Sequence, residues 1–80
     1  MKITILLFGI IRDIIGESKL TLELKKESSI EQLKQSLIEE YHELSKYHNF
    51  SIAVNEEYVE TGYILKSNDI VALIPPVSGG

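Results

Sequence analysis

The spacing of apolar positions changes period several times along the chain. From Lys2 to Phe8 both alternating faces are largely apolar, with Ile3, Ile5 and Leu7 on one side and Thr4, Leu6 and Phe8 on the other. A strand apolar on both faces belongs inside a sheet, not at its edge. Gly9 punctuates it, and Ile10, Ile11, Ile14 and Ile15 recur at helical spacing around Arg12 and Asp13, predicting one short turn of helix closed by Gly16. Lys19 to Lys25 then alternates strictly, with Leu20, Leu22 and Leu24 inward, the pattern of a half-buried antiparallel strand.

The strongest helical pattern follows. Ser28 stands three residues before Glu31 and Ser29 three before Gln32, both at capping-box spacing. Ile30, Leu33, Leu37, Ile38, Tyr41 and Leu44 then form one stripe, with Glu31, Lys34, Gln35, Glu39 and Glu40 turned to water. Phe50 to Val54 predicts a short strand, Asn55-Glu56-Glu57 a turn, and Tyr58-Val59 a stub of partner strand. Gly62 to Asn68 is irregular, with a turn at Lys66 to Asp69 in which Asn68 takes a left-handed conformation. Ile70 to Ile74 is continuously apolar and so predicts a central last strand. The sum is an α+β domain over residues 1–74, with a mixed sheet and one main helix packed across one of its faces.

Composition narrows the chemistry. Eighty residues make one core, and 26 of them are Ile, Leu or Val, enough for a small domain to fold. The chain has no cysteine, so disulfides, thiolate zinc sites and cysteine nucleophiles are excluded, and any sulfur chemistry must use a borrowed sulfur. Eight Lys and Arg are scattered through a chain of net charge −4, which argues against nucleic acid or anionic membrane and for a partner with a basic face. The opening apolar run is short, ends at Arg12-Asp13 and has no small-residue cleavage site, so it reads as a strand and not a signal peptide. A cytoplasmic location is expected.

After Ile74 the sequence is Pro75-Pro76-Val77-Ser78-Gly79-Gly80, expected to form an extended tail over residues 75–80. Two prolines cannot donate to a ladder and hold φ near −65°, giving a stiff stalk. Gly79 and Gly80 carry no Cβ and can thread a channel too narrow for side chains. Six residues at ~3.3–3.6 Å each reach about 20 Å. A frayed end is the plain alternative. Glycine averages about 7% of residues, so a chance Gly-Gly end arises in roughly half a per cent of chains, and the Pro-Pro stalk makes accident rarer. A carboxylate is a poor electrophile until activated, for instance as a mixed anhydride with a nucleotide. It then becomes an acyl donor to sulfur or to lysine.

Phe8-Gly9-x-x-Arg12, Val54-Asn55, Asp69 and above all the closing hexapeptide resemble the small subunit of molybdopterin synthase, over essentially the whole chain. The resemblance implies a β-grasp, ubiquitin-like fold and a sulfur carrier with no bound cofactor. Gly80 would be adenylated by an ATP-dependent activating enzyme and thiocarboxylated. The tail would then enter the large subunit, in an assembly of two large and two small chains, and give its sulfur to cyclic pyranopterin monophosphate. It further implies that Gly79 belongs with Gly80 to the reacting end, and that Phe8, Tyr58 and Ile74 line an exposed apolar docking patch, with Pro75, Pro76, Val77 and Ser78 contacting the partner. The alternative is that Phe8, Tyr58 and Ile74 are ordinary core residues. Competing functions are a thiamine-thiazole sulfur carrier, whose family is usually shorter and lacks Pro-Pro, and a ubiquitin-like modifier or interaction module.

Other residues carry weaker signals. Arg12 either contacts the tail or a partner, or pairs with Asp13 or Glu17 at the surface. His42 and His48 lack the spacing of a metal pair. Glu39-Glu40 and Glu56-Glu57 point apart and read as solvated charge.

Overall fold

A computed structural model describes residues 1–47 and 50–75. Five strands, two helices and a 3-10 helix follow one another as β1 (Lys2–Leu7), α1 (Gly9–Ile15), β2 (Lys19–Glu23), α2 (Ile30–Glu40), the 3-10 helix (His42–Tyr47), β3 (Ser51–Val54), β4 (Glu57–Tyr58) and β5 (Ile70–Ile74). The sheet order is β2-β1-β5-β3-β4. β1 and β5 are parallel, and every other neighbouring pair is antiparallel. The two strands expected to lie inside the sheet, β1 and β5, are therefore the second and third of five. This is the α+β, β-grasp arrangement, with a mixed sheet and the main helix on one face.

The core is one cluster. Ile3, Ile5 and Leu7 from β1, Val71 and Leu73 from β5, and Ile52 and Val54 from β3 meet Ile30, Leu33 and Leu37 of α2. The half-buried Leu20, Leu22 and Leu24 pack against its rim, as expected of an edge strand with one wet face. Ile11 of α1 is fully buried in the same cluster. Gly16 ends α1 at φ +88 with its N–H on the Arg12 carbonyl, the left-handed stop that its position predicts.

Helix α2 starts at Ser29. Its Oγ accepts from the Gln32 N–H at 3.2 Å while Gln32 Oε1 accepts from the Ser29 N–H at 2.8 Å. Of the two capping boxes expected, the structure uses this one, and the Ser28 hydroxyl instead donates to the Lys25 carbonyl. The first helical N–H groups, otherwise without partners, donate to loop carbonyls: Ile30 to Tyr63 at 2.9 Å and Glu31 to Thr61 at 3.0 Å. That docking carries Leu65, read as part of an irregular loop, into the core.

Two expectations need correction. The apolar stripe does not run through one helix to Leu44: α2 stops at Glu40, Tyr41 leaves helical geometry, and Leu44 reaches the core from the 3-10 helix. Residues three apart line up in a 3-10 helix, so Tyr41 and Leu44 keep the stripe's spacing across the break. Lys34 is only partly turned to water: it is half-buried, with its ammonium 5.0 Å from the centre of the Phe50 ring. Strand limits also shift slightly. β1 ends at Leu7 because Phe8 is already the N-cap of α1, β2 ends at Glu23, β3 begins at Ser51, and the β3–β4 turn is only Asn55-Glu56. Among the described residues no helix is long and apolar enough to cross a membrane.

Candidate functional site

Among the described residues no helix lies on the face of the sheet opposite α2, and its middle is shallow for a reason found in the registers. Leu6 pairs with Ala72, Ala72 with Ala53, and Ala53 with Tyr58, making one row across four strands. Two small side chains thus sit side by side at the centre, between larger ones. Phe8, Ile70 and Ile74 flank that floor, and the result is an open groove of about 580 Å³. Phe8 is 45% exposed, Tyr58 73% and Ile70 46%, an unusual concentration of large apolar surface for a chain this small. Asn55 and Glu56 line the same groove, and among the described residues Glu56 is its one charged side chain.

The structure brings Phe8, Tyr58 and Ile74 to one place. All three line the groove and none is in the buried cluster, with Ile74 half-buried. The ordinary-core reading of these residues does not hold. Arg12 is exposed on α1, away from the groove, and among the described residues no ion pair joins it to Asp13 or Glu17. Pro75, half-buried, follows β5 directly. Pro76, Val77, Ser78, Gly79, Gly80 and His48 lie outside the described residues. His42 is exposed in the 3-10 helix, where its carbonyl accepts from the Ser45 hydroxyl.

Sequence reasoning missed two features. The first is the corner between β1 and α1. Gly9 has φ +54, and a Cβ there would lie 2.9 Å from Cγ of Pro75, closer than real contacts allow. Glycine is needed both for the backbone angle and for the seat of the proline. The second is a polar clip between the β3–β4 turn and the loop entering β5. Asn55 Nδ2 donates to Asp69 Oδ1 at 3.0 Å, Asn55 Oδ1 accepts from the Ile70 N–H at 3.0 Å, and Asp69 Oδ2 accepts from the Lys66 N–H at 2.8 Å. Asp69 is 6% exposed, the one buried charged side chain among the described residues. Both residues read separately, as turn residues and as fragments of a resemblance; their pairing depends on register, which periodicity does not carry.

Among the described residues no group of three or more His, Cys, Asp or Glu could hold a metal ion. Among the described residues the groove brings together no nucleophile with a base. What it offers is contact: a shallow apolar floor, aromatic and aliphatic walls and one acidic end, beside the strand from which the tail continues. A second depression, at the β3–β4 edge between Phe50 and Thr61, likewise has no cluster of ionisable groups.

Known proteins agree with this architecture. A Dictyostelium discoideum protein named molybdopterin synthase sulfur carrier subunit is 39% identical over 80 residues, covering 95% of this chain and 93% of its own. A Caenorhabditis briggsae protein of the same name is 32% identical over 83 aligned positions, covering 100% of this chain and 99% of its own. The Haloferax volcanii small archaeal modifier protein 1 superposes with a TM-score of 0.84 at 18% identity, covering 95% of this chain and 98% of its own. Subunits 1 and 2 of the Helicobacter pylori molybdopterin-converting factor were solved as a protein–protein complex, in which the matching chain superposes with a TM-score of 0.71 at 24% identity, with full coverage of both. The two structures share the fold. The sequence profile of the ThiS family matches residues 5–80, and with relatives above 30% identity aligned over nearly their whole length, the chain belongs to the ThiS family.

Proposed function

We propose that this chain is the sulfur carrier subunit of a molybdopterin synthase. The observation that carries the proposal is the Pro75-Pro76-Val77-Ser78-Gly79-Gly80 sequence running on from a central strand beside an open apolar groove. The shared name of the sequence relatives supports it.

The chemistry requires a free carboxylate on Gly80. An oxygen of that carboxylate attacks the α-phosphate of ATP in an activating enzyme, releasing pyrophosphate and leaving an acyl-adenylate. A sulfur nucleophile then attacks the acyl carbon, AMP leaves, and Gly80 ends as a thiocarboxylate. Its soft anionic sulfur attacks a carbon of cyclic pyranopterin monophosphate in the large subunit, displacing an oxygen substituent. Water then cleaves the resulting thioester, leaving sulfur on the pterin and Gly80 as a carboxylate, and a second carrier repeats the step to complete the two-sulfur dithiolene that holds the metal. The body of the domain supplies grip: Phe8, Tyr58 and Ile74 dock the partner, Pro75 and Pro76 set the stalk, Val77 and Ser78 line the entry, and Gly79 passes where a Cβ cannot. Arg12, outside the groove, contacts the partner alongside it. The partners are the activating enzyme and the large subunit, two large with two small chains, in the cytoplasm. A groove with one charged side chain suits a partner surface whose centre is apolar and whose rim is basic.

Intact mass spectrometry after incubation with ATP, activating enzyme and a sulfur donor tests this. Oxygen replaced by sulfur at Gly80 is expected, and deletion of Gly80 should abolish it while leaving thermal stability nearly unchanged. Attachment of the chain to lysines of other proteins would establish a modifier instead, and delivery of the sulfur to a thiazole precursor would establish the thiazole carrier.

A further inference from the structure

We infer that Asn55 and Asp69 act as a positioning pair, holding the β3–β4 hairpin so that Tyr58 faces the groove before any partner arrives. This rests on the reading of the open sheet face as a docking surface. The hairpin needs such a device. β4 is only two residues long, at the edge of the sheet, and its turn places Asn55 at φ +50 and Glu56 at φ +71. A two-residue turn with both angles positive is best served by Asn-Gly, and glutamate at the second place strains it. Two ladder pairs join β4 to β3, and a short edge hairpin is marginal without further ties.

The clip supplies those ties. Asn55 is bonded through its side chain to Asp69 and to the Ile70 N–H, and its own N–H donates to the Ile70 carbonyl at 2.8 Å. Asp69 in turn closes the Lys66 turn, and its carbonyl accepts from the Thr4 N–H of β1. The turn beside Tyr58 is thereby fastened across β5 to β1, the two central strands that carry Ile70, Ala72, Ile74 and Leu6. A face held in its bound arrangement loses less entropy on association, so the pair contributes to affinity through the arrangement of the face, beyond any contact that Asn55 makes from the groove lining.

The hydrogen-bond pattern permits a clean test. Asn55→Asp sets an acceptor against an acceptor. Asp69→Asn sets a donor against a donor, whichever way either amide turns. The swapped pair, Asn55→Asp with Asp69→Asn, restores each bond: the new amide donates to residue 55, its oxygen accepts from the Lys66 N–H, and residue 55 still accepts from the Ile70 N–H. Affinity for the large subunit is measured by calorimetry, together with exchange of the Val59 amide, which donates to the Ile52 carbonyl at the foot of the hairpin. Each single variant should bind about tenfold more weakly, as expected for one mispaired, part-buried contact, with faster Val59 exchange, and the swap should return affinity to within about threefold. Should a single variant fail to fold, the swapped chain must still recover fold and affinity. Phe8→Asp separates the two readings. Wild-type affinity in that variant removes the docking surface and the pair's purpose together. Lost binding by Phe8→Asp, with unchanged affinity in both single variants or no recovery in the swap, overturns the positioning role and leaves the docking surface standing.

Discussion

The two faces of the sheet are built from the same strands and obey opposite rules. On the α2 side, β1 and β5 present Ile3, Ile5, Leu7, Val71 and Leu73, all essentially without solvent contact. One residue along each strand, the other side presents Leu6 and Ala72, with Phe8, Ile70 and Ile74 around them, and among the described residues no helix covers them. A burial-driven sheet would put its polar residues on that outer face. Here the groove over β5 and its neighbours has apolar walls and a floor of small side chains, while polar residues stand on β2 and at the Glu56 end. The contrast separates residues kept for folding from residues kept for contact.

The sharpest break in that symmetry is on the covered face. Ile5→Ala removes a fully buried side chain from the middle of the core cluster and should cost about 2–5 kcal/mol, with a matching fall in the urea midpoint. No single change on the open face should approach this.

The next effect belongs to the corner where β1 ends and the tail begins. Gly9→Ala forces a Cβ onto a left-handed backbone and against the Pro75 ring. About 1–2 kcal/mol of stability should be lost from the backbone angle alone. Gly9→Asn, which tolerates the angle, should recover part of that loss and still displace Pro75. Sulfur transfer lower in both variants than their melting temperatures account for is the expected sign that the corner aims the tail.

Much of this contrast was legible in the residues. The doubly apolar run of β1, the strict alternation of β2, the left-handed stop at Gly16 and the proline end of β5 are local signals, and each element formed where its signal stood. What stayed hidden was non-local. Ala53 and Ala72 are unremarkable until the register sets them side by side between Leu6 and Tyr58. Asn55 and Asp69 are 14 positions apart and read separately as turn formers, and only the antiparallel pairing of β3 with β5 joins them. Leu65 lacks any periodic neighbour and is buried because its loop caps the start of α2. Which serine caps α2 was undecidable from spacing, since both sit three residues before a suitable partner.

The smallest change in stability is expected where the loss of binding is largest. Phe8 is the N-cap of α1, in extended geometry, and its side chain makes no capping hydrogen bond. Phenylalanine is a poor choice there, because serine, aspartate or asparagine would bond the free N–H groups of the first turn and contribute about 1 kcal/mol. Phe8→Asp therefore removes a ring that is 45% exposed, adds a cap to α1, and should leave the melting temperature unchanged or slightly raised while partner binding falls. A large fall in melting temperature would place Phe8 with the covered face and dissolve the distinction between the two. An unchanged or higher one means that the sequence gives up a better helix cap to keep an aromatic ring at the mouth of the groove, which folding of the isolated domain does not reward.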